Sequence, residues 1–546
     1  MMPIFFNIES HLWIFALFIF NGLLATSLLR IYSGSFEVLT RSFESQVLSS
    51  FFISLTINSS ILLVLSYMSL PFSKAYMPLV LICIALSLGL ALSLRKGASV
   101  KTLFDVDFGF LRLGLYALTF ILLFYNGAYI EQISDAWWHI SLANKIGLES
   151  TFSPSVGHLT GLPTRYYPPL WHGNLALSSL LSGIDISIFW NSLTAWVAVF
   201  KVMAIYLIAQ SFTKQRSIGL IAAALFVLLP GVGTSYLRVS AWPSHIAYTA
   251  WFALFYLTSN LLDSLPKDDA DLFTSIKSVI KESKAALLGF PVLAVLIFYT
   301  HQAEVLWFAV ACFAYCAAGS LSRNISSLNE FIVDRDNILI RLVYRFLLLA
   351  LLAYASYFAF TQDYPSWGFS DHVLSNSVPI LVLFILAVLE FSNMHLLLNR
   401  IQVIAILVIV LAAVNYQQFV SLFFSDLSLP KGQIYTASTV GIGYFGGELR
   451  LPSWNLQLRS GLLYSGVLGV LASVFLVAIR PTRASFLVAG TSCLAFVFFV
   501  SPYFYHWLQS ILNNYHSPWR ISIIIFHPII WAMVLSSLWV NVRASK

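Results

Sequence analysis

Apolar runs of about 16 to 25 residues recur from residue 11 to residue 540, and no polar stretch long enough for a separate soluble domain interrupts them. They lie near 11–30, 49–68, 77–94, 109–128, 186–210, 217–232, 245–262, 285–300, 304–320, 341–361, 377–393, 402–424, 461–479, 484–501 and 521–540. In lipid the backbone must satisfy its own hydrogen bonds, so segments of this length fold as helices. The expected fold is an all-α polytopic membrane protein of about 15 transmembrane helices. Composition agrees: 59% hydrophobic residues, 10% charged residues and a mean hydropathy of +0.83 exclude a soluble globular protein. The short pairs 217–232 with 245–262 and 285–300 with 304–320 are also compatible with re-entrant or broken helices.

The net charge of +7 comes from Lys and Arg scattered singly through short loops, which marks topology and argues against nucleic acid as a partner. Alternate loops collect Arg30, Arg41, Arg95, Lys96, Lys101, Lys214, Arg216, the stretch 267–284, the stretch 323–345, Arg400, Arg480, Arg483 and the tail. About 21 of the 30 basic residues then lie on one side, which the positive-inside rule makes cytoplasmic. The N-terminus is expected outside and the C-terminus inside. The first run lacks the basic segment of a secretory signal and reads as a retained span. All four cysteines (Cys83, Cys312, Cys316, Cys493) fall inside apolar runs and read as inert buried thiols.

Eight of the eleven histidines fall in the opposite loops: His139, His158, His172, His245, His301, His372, His506 and His516. That asymmetry points to an outward-facing site. The longest outside connection, 129–185, opens with Asp135 at the membrane boundary. An amphipathic stretch follows, with Trp138, Ile140, Leu142, Ala143 and Ile146 alternating with polar residues, as in a helix lying along the membrane surface. Asp135 and His139 are four apart and share a helical face. A Pro- and Gly-punctuated loop then leads through Tyr166-Tyr167-Pro168-Pro169-Leu170 toward the next apolar helix.

Asp135 opening an interfacial helix, with Tyr167-Pro168-Pro169-Leu170 closing the loop, resembles the first extracytoplasmic loop of the GT-C superfamily of membrane glycosyltransferases. Protein mannosyltransferases and lipid A aminoarabinose transferases are members of that superfamily. The resemblance covers roughly residues 109–260. It departs where those families commonly carry an Asp-Glu pair, since this chain has Asp135-Ala136, and about three spans precede the matching helix. It implies residues 1–108 as an N-terminal extension and 109–546 as a GT-C-like transmembrane domain. It also implies a polyprenyl-phosphate-linked sugar as donor, a glycan, lipid or protein as acceptor, the bilayer as surroundings, and a bacterial inner membrane as location.

Such a reaction needs a group that activates the acceptor, and Asp135 is expected as general base. The departing phosphate needs cations at the outer interface, for which Arg165, Arg238 and Arg520 are placed, with Arg450 and Arg459 also outside. His301 and Glu304 lie one turn apart at the outer junction of two runs, where ionisable groups are costly unless used. Together with His139, His172, Tyr166, Tyr167 and His516 they are candidates for binding substrate. No fixed-spacing ligand set for a metal is visible, and His301-to-Glu304 is not the spacing of a zinc protease; a divalent cation is the one cofactor these residues would admit. Lys201, mid-span, is read as snorkelling or paired internally. Two other functions share these features. A polysaccharide polymerase or ligase would use the later loop 425–460, and a transporter or flippase of lipid-linked sugars would place ionisable residues at the midplane and show repeated halves.

Overall fold

Every apolar run that falls among the described residues is helical. The computed structural model describes residues 8–32, 42–95, 109–126, 135–152, 168–228, 240–263, 284–301, 442–445, 448–452, 482–500 and 526–544, with isolated residues at 237, 469, 472–473 and 476–477. The runs at 304–320, 341–361, 377–393 and 402–424 lie outside them. Four helical stretches, Ile8–Ile31, Phe43–Tyr67, Phe72–Arg95 and Ile186–Thr213, are long and apolar enough to cross a membrane. The protein is an integral membrane protein with several apolar helices. The chain divides into two units, Met1–Cys312 and Phe313–Lys546.

In the first unit, α1 (Ile8–Phe15) runs through a π-helical turn (Ala16–Phe20) into α2 (Asn21–Tyr32). A π turn disturbs the regular carbonyl ladder, and in an apolar interior another group must satisfy what it frees. Asn58 does so, donating from Nδ2 to the Leu17 carbonyl at 3.0 Å. Asn58 belongs to α3 (Phe43–Tyr67), which starts on a capping box between Ser42 and Ser45. The α2–α3 contact is built on small residues. Gly22 donates its N–H to Ser54 Oγ at 2.8 Å, Thr26 meets Ser50 at 3.2 Å, and a side chain at Gly22 would overlap the Ser50 carbonyl.

A short turn (Phe72–Ala75) leads into α4 (Tyr76–Arg95), whose side chains are exposed nearly all round, as suits a helix that faces lipid. Then come α5 (Phe110–Asn126), α6 (Asp135–Glu149), α7 (Leu170–Ser182), α8 (Ile186–Thr213), α9 (Arg216–Leu228), α10 (Pro243–Asp263) and α11 (Lys284–Thr300). Apolar on every face, α8 is buried along almost its whole length and packs against α3, α5, α9 and α10. Its Phe200 packs on Phe51 of α3 at 4.8 Å, and Phe18 meets both Phe51 and Trp171 behind that pair.

The contacts sort the helix ends into two groups. Glu44 of α3, Arg112 of α5 and Tyr206 of α8 meet at one end. At the other, the N–H of Phe152 donates to Ser66 Oγ at 3.0 Å, and that of Phe72 to Ser150 Oγ at 3.1 Å. This alternation of helix direction is what short loops between antiparallel spans require.

The second unit holds α12 (Arg483–Val500) and α13 (His527–Ala544). It adds to the helices a two-stranded antiparallel hairpin, β1 (Ile442–Phe445) with β2 (Glu448–Pro452). This hairpin falls in the stretch 425–460, which periodicity treats only as a loop. Its signal is local: Phe445 pairs with Glu448, and the two residues between them are both glycine, the composition that two-residue hairpin turns demand.

Candidate outward-facing site

Asp135 is the first residue of α6, where the sequence expects an interfacial helix to begin. With 15 residues, α6 is about 22 Å long, short of the ~30 Å hydrocarbon core. Its buried face is Ala136, His139, Ile140, Leu142, Ala143 and Ile146, at helical spacing, while Trp137 and Leu148 are exposed opposite. His139 is therefore on the packed face of an amphipathic helix, one turn beyond Asp135.

That face lies against α7, a helix that hydrophobic periodicity does not separate from the loop. Pro168 and Pro169 precede it, prolines being tolerated where helix N–H groups have no intrahelical acceptor. Gly183 ends it in a left-handed conformation (φ 75°), with its N–H on the Ser179 carbonyl at 2.8 Å. Asp185 then caps α8 by accepting from Ser187 N at 2.7 Å. Residues Leu170 through Ser178 are all buried, so α7 is an inserted helix and not a surface connection.

Where α6 meets α7, His139 Nδ1 and His172 Nε2 are 2.9 Å apart, both side chains buried. The carbonyl of Pro168, 3.3 Å from His172 Nδ1, can only accept, so His172 carries its proton on Nδ1. His172 Nε2 is then the acceptor, and His139 Nδ1 donates to it. The pair is enclosed by tryptophans: Trp190 stacks on His139 at 5.8 Å and 16°, Trp138 meets both rings edge-on, and Trp242 stands 6.3 Å from His139. Trp171 anchors α7 to the start of α10 by donating from Nε1 to the Ala241 carbonyl at 2.7 Å.

Burial pushes the His172 imidazolium pKa down to about 3, the Pro168 contact offsetting only a little of this. Between the ordinary value of 6.5 and about 3 the unfolded chain takes up a proton that the folded chain refuses. Stability from this group is thus full above pH 6.5 and falls as the pH drops through that window, by up to about 1.4 kcal/mol per pH unit. His172→Gln is expected to flatten the decline of melting temperature between pH 7.5 and 5 in detergent; an unchanged slope would show that the ring protonates in place.

Of the other expected site residues, His301 follows the last turn of α11, buried, with its N–H on the Ile297 carbonyl at 2.7 Å. Arg165, Tyr166, Tyr167, Arg238, Glu304, His516 and Arg520 lie outside the described residues. So do Arg459 and the histidines at 158, 372 and 506. Among the described residues no group of three His, Cys, Asp or Glu is arranged to hold a metal ion.

Two features escape sequence reasoning: the partner of Lys201, whose internal pairing the sequence does suggest, and a cavity. Lys201, in the middle of α8, is paired internally, its Nζ lying 2.7 Å from Nδ1 of buried His245 at the start of α10. No spacing rule links residues 44 apart. The second is a cavity of about 460 Å³ running between α3 and α11 from the first turn of α7. Thr56, Ser59, Leu63, Val295 and Tyr299 line it beside Pro169 and Leu170, and Leu63 and Val295 are more than half exposed. It is an apolar groove dotted with hydroxyls.

No family model and no curated protein matches the chain. Among solved structures, that of an oligosaccharyltransferase from Archaeoglobus fulgidus in its apo form is similar, with a TM-score of 0.41 and 15% identity. The match covers 80% of this chain and 52% of that one, so the chain spans about half the length of that protein. A likeness of this size does not carry a function across.

Proposed function

We propose that the protein is a membrane glycosyltransferase of the GT-C type, moving a sugar from a polyprenyl-phosphate donor to an acceptor at the outer face. The observation that carries this reading is the junction of α6 and α7. Asp135 opens the one helix, Pro168-Pro169-Leu170 opens the other, and an apolar groove starts at Pro169 and Leu170, in the first turn of the second. An isoprenoid tail is a chain of apolar units, and the groove between α3 and α11 offers it a berth beside the start of α7, the helix on which α6 packs.

In the reaction the acceptor O–H or N–H adds to the anomeric carbon while the bond from that carbon to the phosphate oxygen breaks. Asp135 takes the acceptor's proton, and the polyprenyl phosphate leaves with the bonding pair. Arg165, Arg238 and Arg520 are the candidate partners for its charge, and His301, Glu304 and His516 for the sugar hydroxyls. The buried His139–His172 pair holds α6 on α7 and so sets the position of Asp135 one turn away. The acceptor is a glycan, a lipid or a protein.

Val295→Trp, on the exposed side of the groove, tests the reading in proteoliposomes supplied with a polyprenyl-phosphate sugar. KM for the donor is expected to rise about tenfold with kcat little changed, the signature of lost ground-state binding. Movement of the donor between leaflets with no sugar transferred would replace this reading by that of a flippase.

A further inference from the structure

The three tryptophans around the His139–His172 pair are not alike. Trp190 is buried and stacks on His139, which is all that holding the pair requires. Trp138 and Trp242 also border His139, yet both are only half-buried, so each leaves part of an indole ring accessible. Packing alone favours covering such a ring. Trp138 is also well placed. It stands three residues on from Asp135 in α6 and meets His172, in the first turn of α7, edge-on at 6.4 Å. Pro169 and Leu170 of that same turn line the groove. Trp138 thus links the turn at which the groove begins to the turn that Asp135 opens.

Trp242 adds a polar handle. Its backbone is fixed, since its carbonyl accepts from His245 N at 2.9 Å and Ile246 N at 3.1 Å, and the neighbouring Ala241 carbonyl takes the Trp171 N–H at 2.7 Å. Its side chain is not fixed in this way. The indole N–H of Trp171 is bonded to Ala241 and that of Trp196 to His11 Nδ1 at 3.0 Å, whereas Trp242 Nε1 is covered and has no hydrogen-bond partner. Indole nitrogen can only donate, and a covered donor without an acceptor is costly. The ring can therefore turn without breaking a hydrogen bond, and it gains one if an oxygen is brought to it. A pyranose fits both demands. Its faces carry C–H groups, which pack on the electron-rich face of an indole, and its rim carries oxygens that accept from the N–H.

We infer that Trp138 and Trp242 form the subsite that holds the sugar ring of the lipid-linked donor, Trp138 by stacking and Trp242 by stacking and by its N–H. The identity of the ligand rests on the function proposed above, and the binding measurement that tests the subsite needs no transfer to take place.

The test titrates the full-length protein in nanodiscs with undecaprenyl phosphate, bare or carrying glucose, mannose, galactose or arabinose, and reads Kd by native mass spectrometry. Wild type is expected to bind at least one sugar-bearing lipid about tenfold more tightly than the bare lipid. Trp242→Phe, which keeps a ring and removes only a donor that has no partner in the free protein, is expected to cut that preference about fivefold. Trp138→Leu should remove most of it and Trp138→Phe should keep most of it, with Kd for the bare lipid and melting temperature near wild type in all three. Equal binding of bare and sugar-bearing lipids by wild type, or a preference retained by either Trp138→Leu or Trp242→Phe, overturns the subsite. So does a parallel loss of bare-lipid binding, which marks the tryptophans as structural. A preference lost in both variants of a protein that transfers no sugar keeps the subsite and removes the transferase reading; transfer with donor KM unchanged in both variants does the reverse.

Discussion

Asp135→Asn is expected to lower the rate of sugar transfer by about 10²- to 10⁴-fold, the range a general base contributes, while leaving donor binding and melting temperature near wild type. The choice of Asn separates chemistry from helix architecture. Asp135 is the first residue of α6, and Asn is as good as Asp at satisfying the opening N–H groups of a helix. Asp135→Ala would change the residue type at the helix start as well as remove the carboxylate and so confound the two. Initial rates in proteoliposomes, with donor saturating, give kcat directly. If the Asn variant keeps more than about a tenth of wild-type kcat, Asp135 is not the base and the assignment of the reacting centre falls. Loss of melting temperature in parallel with loss of rate would instead mark Asp135 as a structural residue.

The spans were legible in the sequence because their signal is one-dimensional: a run of apolar residues needs no knowledge of neighbours to be read. The buried face of α6 was legible for the same reason, since Ile140, Ala143 and Ile146 recur at helical spacing. What makes a site, however, is contact between distant positions. His139 and His172 are 33 residues apart and meet only because α7 folds back under α6. α7 itself was hidden because Trp171-His172-Gly173-Asn174 opens it with polar residues, and burial in other helices, not lipid, makes that tolerable. Counting histidines in outside loops singled out His139, His172 and His245, but as groups facing a cavity. His139 and His172 are paired with each other inside the helix packing, and His245 with Lys201. The count located the region and missed the partners.

Arg112 carries the same lesson at the opposite end of the bundle and the second large effect. Sequence position makes it one more cation flanking a span, expendable apart from its contribution to topology. In the structure its side chain is buried, with Nη1 3.1 Å from Glu44 Oε2 and 3.1 Å from the Tyr206 hydroxyl. Tyr116 donates to the other Glu44 oxygen at 2.9 Å, and the guanidinium lies over the Tyr206 ring, 5.1 Å from its centroid. Three helices, α3, α5 and α8, are thereby tied through one ion pair. A buried pair contributes little net stability compared with an apolar replacement of both partners, but removing one partner strands the other charge. Arg112→Met is therefore expected to destabilise the protein by about 3–5 kcal/mol, read as a lower melting temperature in detergent. Glu44→Gln alone should also destabilise, while the double variant should recover much of the loss, giving a coupling of the order of 1–3 kcal/mol in the cycle. Additive effects, or a melting temperature for Arg112→Met within a degree or so of wild type, would return Arg112 to the role of a topological charge. α8 also carries Trp190 against His139, far along the helix from the tie. Loosening α8 at the Arg112 end is expected to lower transfer only as far as it lowers the folded fraction, whereas loosening it at Trp190 displaces the ring on which His139 is stacked.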